Sequence, residues 1–262
     1  MPAAFLYDNV ARAATLTSAQ ATVATMPLAN LQDPQPRRRV RLNAASATLD
    51  VDLLASVPVD CVALISTTLA AGATIRARLA NVADFSTTLA DTGTIAAEAE
   101  AANQGNVILT LPAPINARYL RIDLVAGSGD FIDVGVLAAG QLWRTTRSIA
   151  YGIEEGREIL DRRDRNPFTG AEFPVPAIAN PRFARFTLPV ISDAEVRANH
   201  RELVRLLGAV NDGLCIPDIA DTLAERNRRA IWGAMNQPGG TAGTILSAFN
   251  ISERSFTLTE RL

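Results

Sequence analysis

The sequence has no lysine, one histidine, two cysteines and few aromatic residues, which make up 5% of the chain. All 25 of its lysine-or-arginine positions are arginine, which we attribute to a GC-rich coding sequence rather than to chemistry. One histidine and two cysteines are too few for a convincing Cys/His metal site. Cys61 and Cys215 lie in apolar surroundings, and a chain of this size needs no covalent staple. Two buried thiols are therefore favoured over a disulfide.

The scarcity of histidine also bears on catalysis. A Ser-His-Asp triad would have to use His200, and no Gly-x-Ser-x-Gly motif is present. The sequence has no P-loop and no G-x-G-x-x-G motif. A carboxylate pair for glycoside cleavage is set by folding and leaves no sequence signature. We therefore predict a protein that is not an enzyme, with no catalytic residues, no metal and no cofactor.

Long apolar runs are absent too. No window reaches 18 apolar residues, so no transmembrane helix is predicted. The first ten residues lack the basic and apolar regions of a signal peptide, and none is expected. The formal net charge of −2 argues against a surface that binds nucleic acid in general. We predict no membrane partner and no sequence-specific nucleic acid.

An arginine cluster at 37–41 has two interpretations. Four of these five residues are arginine, which could indicate a phosphate-binding segment. The second interpretation is a solvated strand or loop whose arginines meet carboxylates of this or a neighbouring subunit. The second is favoured, because no aromatic platform accompanies the cluster.

The stretch 48–79 carries the clearest pattern in the chain. Residues 48–52 and 74–79 alternate between apolar and charged side chains, which is typical of half-buried strands. Residues 59–65 form a nearly unbroken apolar run, which predicts a strand covered on both faces. No helix intervenes, so the strands are expected to form antiparallel sheets packed as a sandwich.

About eight strands are predicted between residues 5 and 140, enough for a jelly roll. Residues 5–7 are interpreted as a first edge strand, and Gly127 to Asp130 as a hairpin turn. The sequence pattern changes near residues 139–147. We therefore predict two domains, 1–143 and 144–262, with the second able to fold and form oligomers without residues 1–140.

The order of these pieces resembles the galactose-binding-like jelly-roll domain of tail proteins from long-tailed bacteriophages. The resemblance is carried by 49–53, 59–65, 73–81, 83–85, 117–123 and 132–137, followed by Trp143 and 148–152. It implies a distal tail, or tail-tip, protein whose second half forms a ring.

The second half contains the clearest helix. Ser192 and Glu195 form a capping box, in which both side chains satisfy free amides at the helix start. One apolar face follows, made of Val196, His200, Leu203, Leu207 and Val210. His200 lies on that face, where a core position is favoured over catalysis. We predict a mainly β fold: a jelly-roll sandwich, then a β-sandwich with one packed helix, the arrangement of tail-tube and distal-tail rings.

Candidate site residues are few. In the run 161–165 both charge signs interleave, which favours contact between like subunits; Arg162, Arg163 and Arg165 are the candidate interface residues, against the alternative of a solvated loop. Trp143 is a weak candidate for sugar stacking, although packing at the domain junction is favoured for it. Arg76 and Arg78 are predicted to form a polar outer face, and Asp50, Asp52 and Asp60 a solvated one.

The resemblance implies a structural role. We expect a homo-oligomeric ring, hexamer or trimer, in the virion tail tip, assembled in the host cytoplasm. Its partners would be other tail proteins such as the tail tube and the hub. The alternative is a carbohydrate-binding module that contacts the host cell surface. A ring predicts stable oligomers without sugar, whereas a sugar-binding module predicts a monomer whose melting temperature rises with ligand.

Overall fold

The chain is mainly β, as predicted. The computed structural model describes residues 2–100, 105–150, 152–177, 179–208, 210–236, 245–246 and 251–262. The strands are β1 Pro2–Leu6, β2 Thr15–Ser18, β3 Val40–Leu42, β4 Ser46–Ile65, β5 Thr74–Ala80, β6 Thr88–Asp91, β7 Ile95–Ala96, β8 Val107–Val125, β9 Ile132–Val134, β10 Val136–Gly140, β11 Trp143–Ser148, β12 Glu154–Arg157, β13 Arg162–Arg165, β14 Glu172–Val175, β15 Arg182–Ser192, β16 Asp212–Ile216, β17 Ile231–Asn236, β18 Ile245–Leu246 and β19 Ile251–Glu260.

Two long strands form the jelly roll. β4 and β8 pair along most of their length, and their register shifts between Asp52 and Val57. Such irregularities bend strands. Beyond the bend, Val62 and Leu109 line the same small internal cavity as Ala77 of β5. The two halves of each strand therefore enclose one apolar core, whose sheet runs in the order β10-β4-β8-β5-β6.

The predicted burial of 59–65 is confirmed, because all seven of these residues are buried. Val62 and Leu64 face the jelly-roll core. Cys61, Ala63 and Ile65 face the second sheet. Both cysteines are free and buried, as predicted. Burial raises the pKa of each thiol.

The second sheet has the order β11-β1-β16-β17-β19-β15-β12. The first strand of the chain is thus an interior strand of this sheet, and its predicted edge position is wrong. Phe5 is paired with Trp143 on one side and with Cys215 on the other. The domain boundary at residue 143 stays a prediction, but the N-terminal strand belongs to the sheet built by the C-terminal half.

The second sheet lies between the jelly roll and the long helix. One face of the second sheet, including Leu6, Leu214 and Trp232, packs on the jelly roll. The opposite face, including Phe5 and Phe256, packs under the long helix. The predicted helix covers this second half, but the layer on the other face of the sheet is the jelly roll itself.

The long helix consists of Asp193–Glu195, a π turn at Val196–His200, and Arg201–Leu207. Ser192 is the predicted N-cap, and its hydroxyl accepts a hydrogen bond from the Glu195 amide at 3.2 Å. The Glu195 carboxylate has partners other than the helix-start amide that the capping box predicts. It accepts from Trp143 Nε1 at 2.9 Å and from the Thr146 amide at 3.1 Å, and so ties the helix to β11.

The apolar face of this helix is confirmed except at its end. Val196, His200, Leu203 and Leu207 are buried. Val210 is 80% exposed, so its assignment to this face is wrong. The helix ends at Leu207, and Gly208 adopts a positive φ of 52°, which turns the chain away before residue 210.

A short helix, Leu223–Arg229, was not predicted. Its buried Asn227 joins the two halves of the molecule. The Asn227 side-chain oxygen accepts from the Ile108 amide at 2.8 Å, and its amide donates to the Ala97 carbonyl at 2.9 Å. Two further 3₁₀ turns lie at Val10–Ala13 and Leu28–Gln32.

Candidate functional site

A hairpin projects from the second half of the molecule. We call residues 158–181 the arm. Its strands β13 and β14 pair with each other, from Arg162 opposite Val175 to Arg165 opposite Glu172, and form a separate two-stranded sheet. All side chains from 157 to 174 are exposed except that of Asn166. The arm therefore presents surface to the outside on both of its faces.

Polar contacts shape the tip and the base of the arm. At the tip, the Asn166 side-chain oxygen accepts from the Phe168 amide at 2.9 Å, and Gly170 supplies a φ of +71° for the turn. At the base, Asp161 accepts from the Ala177 amide at 2.7 Å and from the Asn180 side chain at 3.2 Å. These hydrogen bonds lower the pKa of Asp161. The arm is thus a defined hairpin.

The three candidate interface arginines lie together on β13. Arg163 and Arg165 share one face of this strand, and Arg162 points to the other. Within the arm, Arg162 lies 3.6 Å from Asp164, and Arg163 lies 3.6 Å from Glu172. Exposed pairs of this kind contribute about 0–1 kcal/mol. They leave the arginines available for other carboxylates, and pairing with an adjacent chain stays a prediction.

Four apolar side chains of the arm were missed by the sequence analysis. Phe168 at the tip is 95% exposed, and Ile159, Leu160 and Phe173 are at least half exposed. They follow no strand or helix period, so periodicity could not single them out. The one sequence feature that could have indicated their exposure was their position in a charged, proline-rich segment. Large apolar side chains left exposed along one hairpin make the arm a candidate interaction surface.

Trp143 is not an exposed stacking platform. It is only 4% exposed, and its ring stacks on Phe5 with centroids 5.1 Å apart. Its indole N–H is bound to Glu195, and its remaining exposed edge lines a surface cleft between the jelly roll and the long helix. The structure therefore places Trp143 in packing at the junction, the role that the sequence favoured.

The predicted polar outer face of the jelly roll is a ladder of ion pairs. Arg76 binds Asp91, Arg78 binds Asp123, Arg118 binds Asp52 and Arg121 binds Asp50. The hydrogen bonds from Arg76 lower the pKa of Asp91 to about 2. These arginines are neutralised within the chain, so the face is polar without being basic.

Asp60 does not belong to a solvated face, and that prediction is wrong. It is buried, accepts from the Leu142 amide at 2.7 Å, and pairs with Arg144 at 2.9 Å. Burial raises its pKa despite these partners. Asp60 holds the segment that leads from the jelly roll into the second sheet.

The structure supports the second interpretation of the arginine cluster at 37–41 for two of its arginines. Arg38 pairs with Asp33 at 2.8 Å, and Arg41 makes two hydrogen bonds of 2.8 Å to Asp133. Arg41 also stacks over the ring of Phe131 at 4.0 Å. The carboxylate partners are in the same chain, and no nucleic acid is needed to account for these positions.

His200 is a core residue. It is buried, with its ring edge toward Trp143 at 6.4 Å and Phe256 at 5.8 Å. Burial, followed by the charge of Arg254, lowers its pKa to about 4. In the described part of the chain, no three His, Cys, Asp or Glu side chains form a group that could hold a metal ion.

This low pKa predicts a loss of stability in acid. The folded state holds His200 neutral, whereas the unfolded chain takes up a proton below its ordinary pKa of about 6.5. The free energy of unfolding should therefore fall between pH 7 and pH 4, by up to about 3 kcal/mol from this group. Urea unfolding across this range should show a shallower pH dependence for His200→Phe. An identical pH dependence in the two proteins would contradict the assignment.

Among the described residues, no helix combines the length and apolar character needed to span a membrane.

Comparison with known proteins finds likeness in structure only. No protein-family model matches the chain, and no curated protein matches it. The family 32 carbohydrate-binding module of NanJ from C. perfringens, solved with galactose, is 18% identical with a TM-score of 0.41, over 53% of this chain and 99% of that one. A chitosan-binding module from Paenibacillus sp. IK-5 is 17% identical with a TM-score of 0.41, over 51% and 99%. The lectin domain of lectinolysin, complexed with Lewis B antigen, is 14% identical with a TM-score of 0.40, over 51% and 96%. Each likeness spans about half of this chain and nearly all of the other protein.

Proposed function

We propose that this protein is a non-catalytic structural component that assembles with copies of itself through the arm. The exposed hairpin carries this proposal. Phe168 is almost fully exposed at its tip, and arginines flank the tip on β13. Aromatic and arginine side chains are the types most enriched where protein interfaces gain their binding energy. An isolated monomer gains nothing from holding them in water.

In this proposal the assembly is a ring, hexamer or trimer, at the distal end of a phage tail, and the jelly roll lies outside it. Tail tube and hub proteins would be its neighbours in the virion. The sequence resemblance supports this placement. The solved structures named above are sugar-binding modules and a lectin domain, and none of them is a tail protein.

Replacing Arg162, Arg163 and Arg165 together by alanine is expected to weaken self-association at least tenfold, which corresponds to about 1.4 kcal/mol. The monomer should keep its fold, because all three side chains are exposed. Sedimentation or light scattering over a dilution series measures the dissociation constant, and circular dichroism checks the fold.

The matched control removes the same charge elsewhere, by replacing the exposed Arg37, Arg38 and Arg147 with alanine. It should associate like the natural chain. Equal oligomer mass for both triple variants at low concentration would remove the arm arginines from the interface. A monomeric natural chain would remove the assembly role itself.

The second candidate is a carbohydrate-binding module contacting the host cell surface, and the galactose-binding-like fold of the first half is compatible with it. Fold alone does not establish function. The aromatic that the sequence offered for stacking, Trp143, is buried. We expect no affinity for free sugars tighter than millimolar. Micromolar binding in a glycan array or titration, with a ligand-dependent rise in melting temperature, would make this candidate the leading one.

A further inference from the structure

A cleft lies where the jelly roll meets the long helix. Its volume is about 260 Å³, and its walls include Tyr7, Pro58, Trp143 and Leu206. A second depression of about 320 Å³ adjoins it and shares Trp143 and Asn199. This combined size lies in the range of small-ligand pockets, roughly 300–1,000 Å³. One aromatic side chain fits there with room for the chain that carries it.

The cleft is acidic at its rim. Asp8 and Glu202 both line it. Glu202 is paired with Arg205 at 2.8 Å, whereas Asp8 has no ion pair within 4 Å among the described residues. Burial, followed by the charges of Glu202 and Asp8, raises the pKa of Tyr7, so its hydroxyl lies in their negative field. The cleft thus offers apolar walls beside a carboxylate that makes no ion pair within 4 Å among the described residues.

The tip of the arm has the complementary chemistry. Phe168 is exposed at the turn, and Arg163 and Arg165 share one face of the strand that leads to it. Phe168 lies in the turn beyond β13, whose four residues span roughly 13 Å at about 3.3 Å per residue. The tip is therefore an aromatic side chain next to positive charge, held well away from its own subunit's base.

We propose that the cleft receives the arm tip of a second copy of this chain, with Phe168 against the apolar walls and the arm arginines near Asp8. The proposal rests on the proposed function, because it names the surface that the arm contacts. Another depression among the described residues fits less well. It is lined mostly by alanine, and its Glu100 is paired with Arg228 at 3.0 Å.

Site-directed cross-linking tests this contact in the full chain. Thr169→Cys places a thiol at the arm tip and leaves Phe168 in place. Asn199→Cys places one in the cleft. The natural cysteines are buried and contribute little background. The two variants are purified separately, mixed and mildly oxidised, and the disulfide-linked dimer is followed on a non-reducing gel. We expect linkage at least tenfold faster than for Thr169→Cys mixed with Ser128→Cys, an exposed position in the loop after β8.

A second variant tests the charge. Asp8→Asn should raise the dissociation constant of the assembly several-fold, whereas Asp130→Asn, at an exposed jelly-roll position, should leave it unchanged. Copies that associate but link equally at positions 199 and 128 would overturn the cleft assignment and leave the assembly role standing. A protein that stays monomeric at all concentrations would overturn both.

Discussion

Replacing Phe5 by alanine is expected to destabilise the protein by about 3–5 kcal/mol, the usual cost of deleting a buried aromatic ring. Phe5 is 1% exposed, and its ring lies 5.1 Å from both Trp143 and Phe256. Its loss leaves a cavity between the second sheet and the long helix. Chemical denaturation with fluorescence detection measures the change. Phe168→Ala, compared at dilutions where the chain is monomeric, is the matched control, because the same atoms are then removed from a side chain in water, and it should cost less than about 0.5 kcal/mol.

The interior position of β1 in the second sheet also predicts whether a fragment that lacks this strand can fold. A chain of residues 143–262 lacks β1, so β11 and β16 lose the strand between them. We expect this fragment not to fold cooperatively, against the sequence-based prediction that the second half is independent. Adding a synthetic peptide of residues 1–9 should restore part of its structure. Cooperative unfolding of the fragment alone would show that the shared strand is dispensable.

The second large effect is expected at the buried pair of Arg182 and Glu260. Glu260→Ala should cost about 3–5 kcal/mol, because it leaves the charge of Arg182 buried without a counter-ion. The side chains are 9% and 2% exposed. Glu260 also accepts from the Arg182 amide at 2.9 Å, and Arg182 donates to the Ala230 carbonyl at 3.1 Å. The pair therefore fastens the first residue of β15 to the last residue of β19.

Two comparisons separate this effect from a general cost of losing an ion pair. Arg38→Ala breaks an exposed contact to Asp33 at 2.8 Å and should cost at most about 1 kcal/mol. The double replacement Arg182→Met with Glu260→Leu should recover much of the stability, since apolar side chains of similar size often replace a buried pair without loss. A single variant as stable as the natural chain would contradict the assignment of a buried charge pair.

Local patterns in the sequence predicted much of the fold. Alternation and the apolar run at 59–65 gave the strands of the jelly roll, and the capping residue Ser192 gave the start of the long helix. These signals depend on neighbours in the chain. The position of β1 depends on partners more than 130 residues away, so an apolar stretch at 2–6 could not reveal it. The turn predicted at Gly127 failed for a similar reason: β9 pairs with β3 and not with β8.

The sequence predicted the charged residues of the candidate site but not its exposed apolar side chains. Interleaved charges at 161–165 stand out in a sequence, and they do lie on an exposed strand. Phe168 and Phe173 drew no prediction, because nothing in their local sequence pattern indicates that they are exposed. The role of the Glu195 carboxylate in the capping box was also misassigned. A nearby indole N–H competes for Glu195, and only the fold brings Trp143 to it.

Because β1 belongs to the sheet built by the C-terminal half, its pairing during synthesis depends on when its partner strands are made. Residues 2–6 are synthesised well before their two partner strands, because β11 ends at Ser148 and β16 ends only at Ile216. At about 5–20 residues per second, roughly 10–40 s pass before that partner is made. The jelly roll can close in this interval, whereas β1 has only β11 to pair with. Pairing between such distant segments is slow, so one edge of the apolar β1 stays open until β16 has been made, and a chaperone that covers residues 2–6 would raise the yield of folded protein.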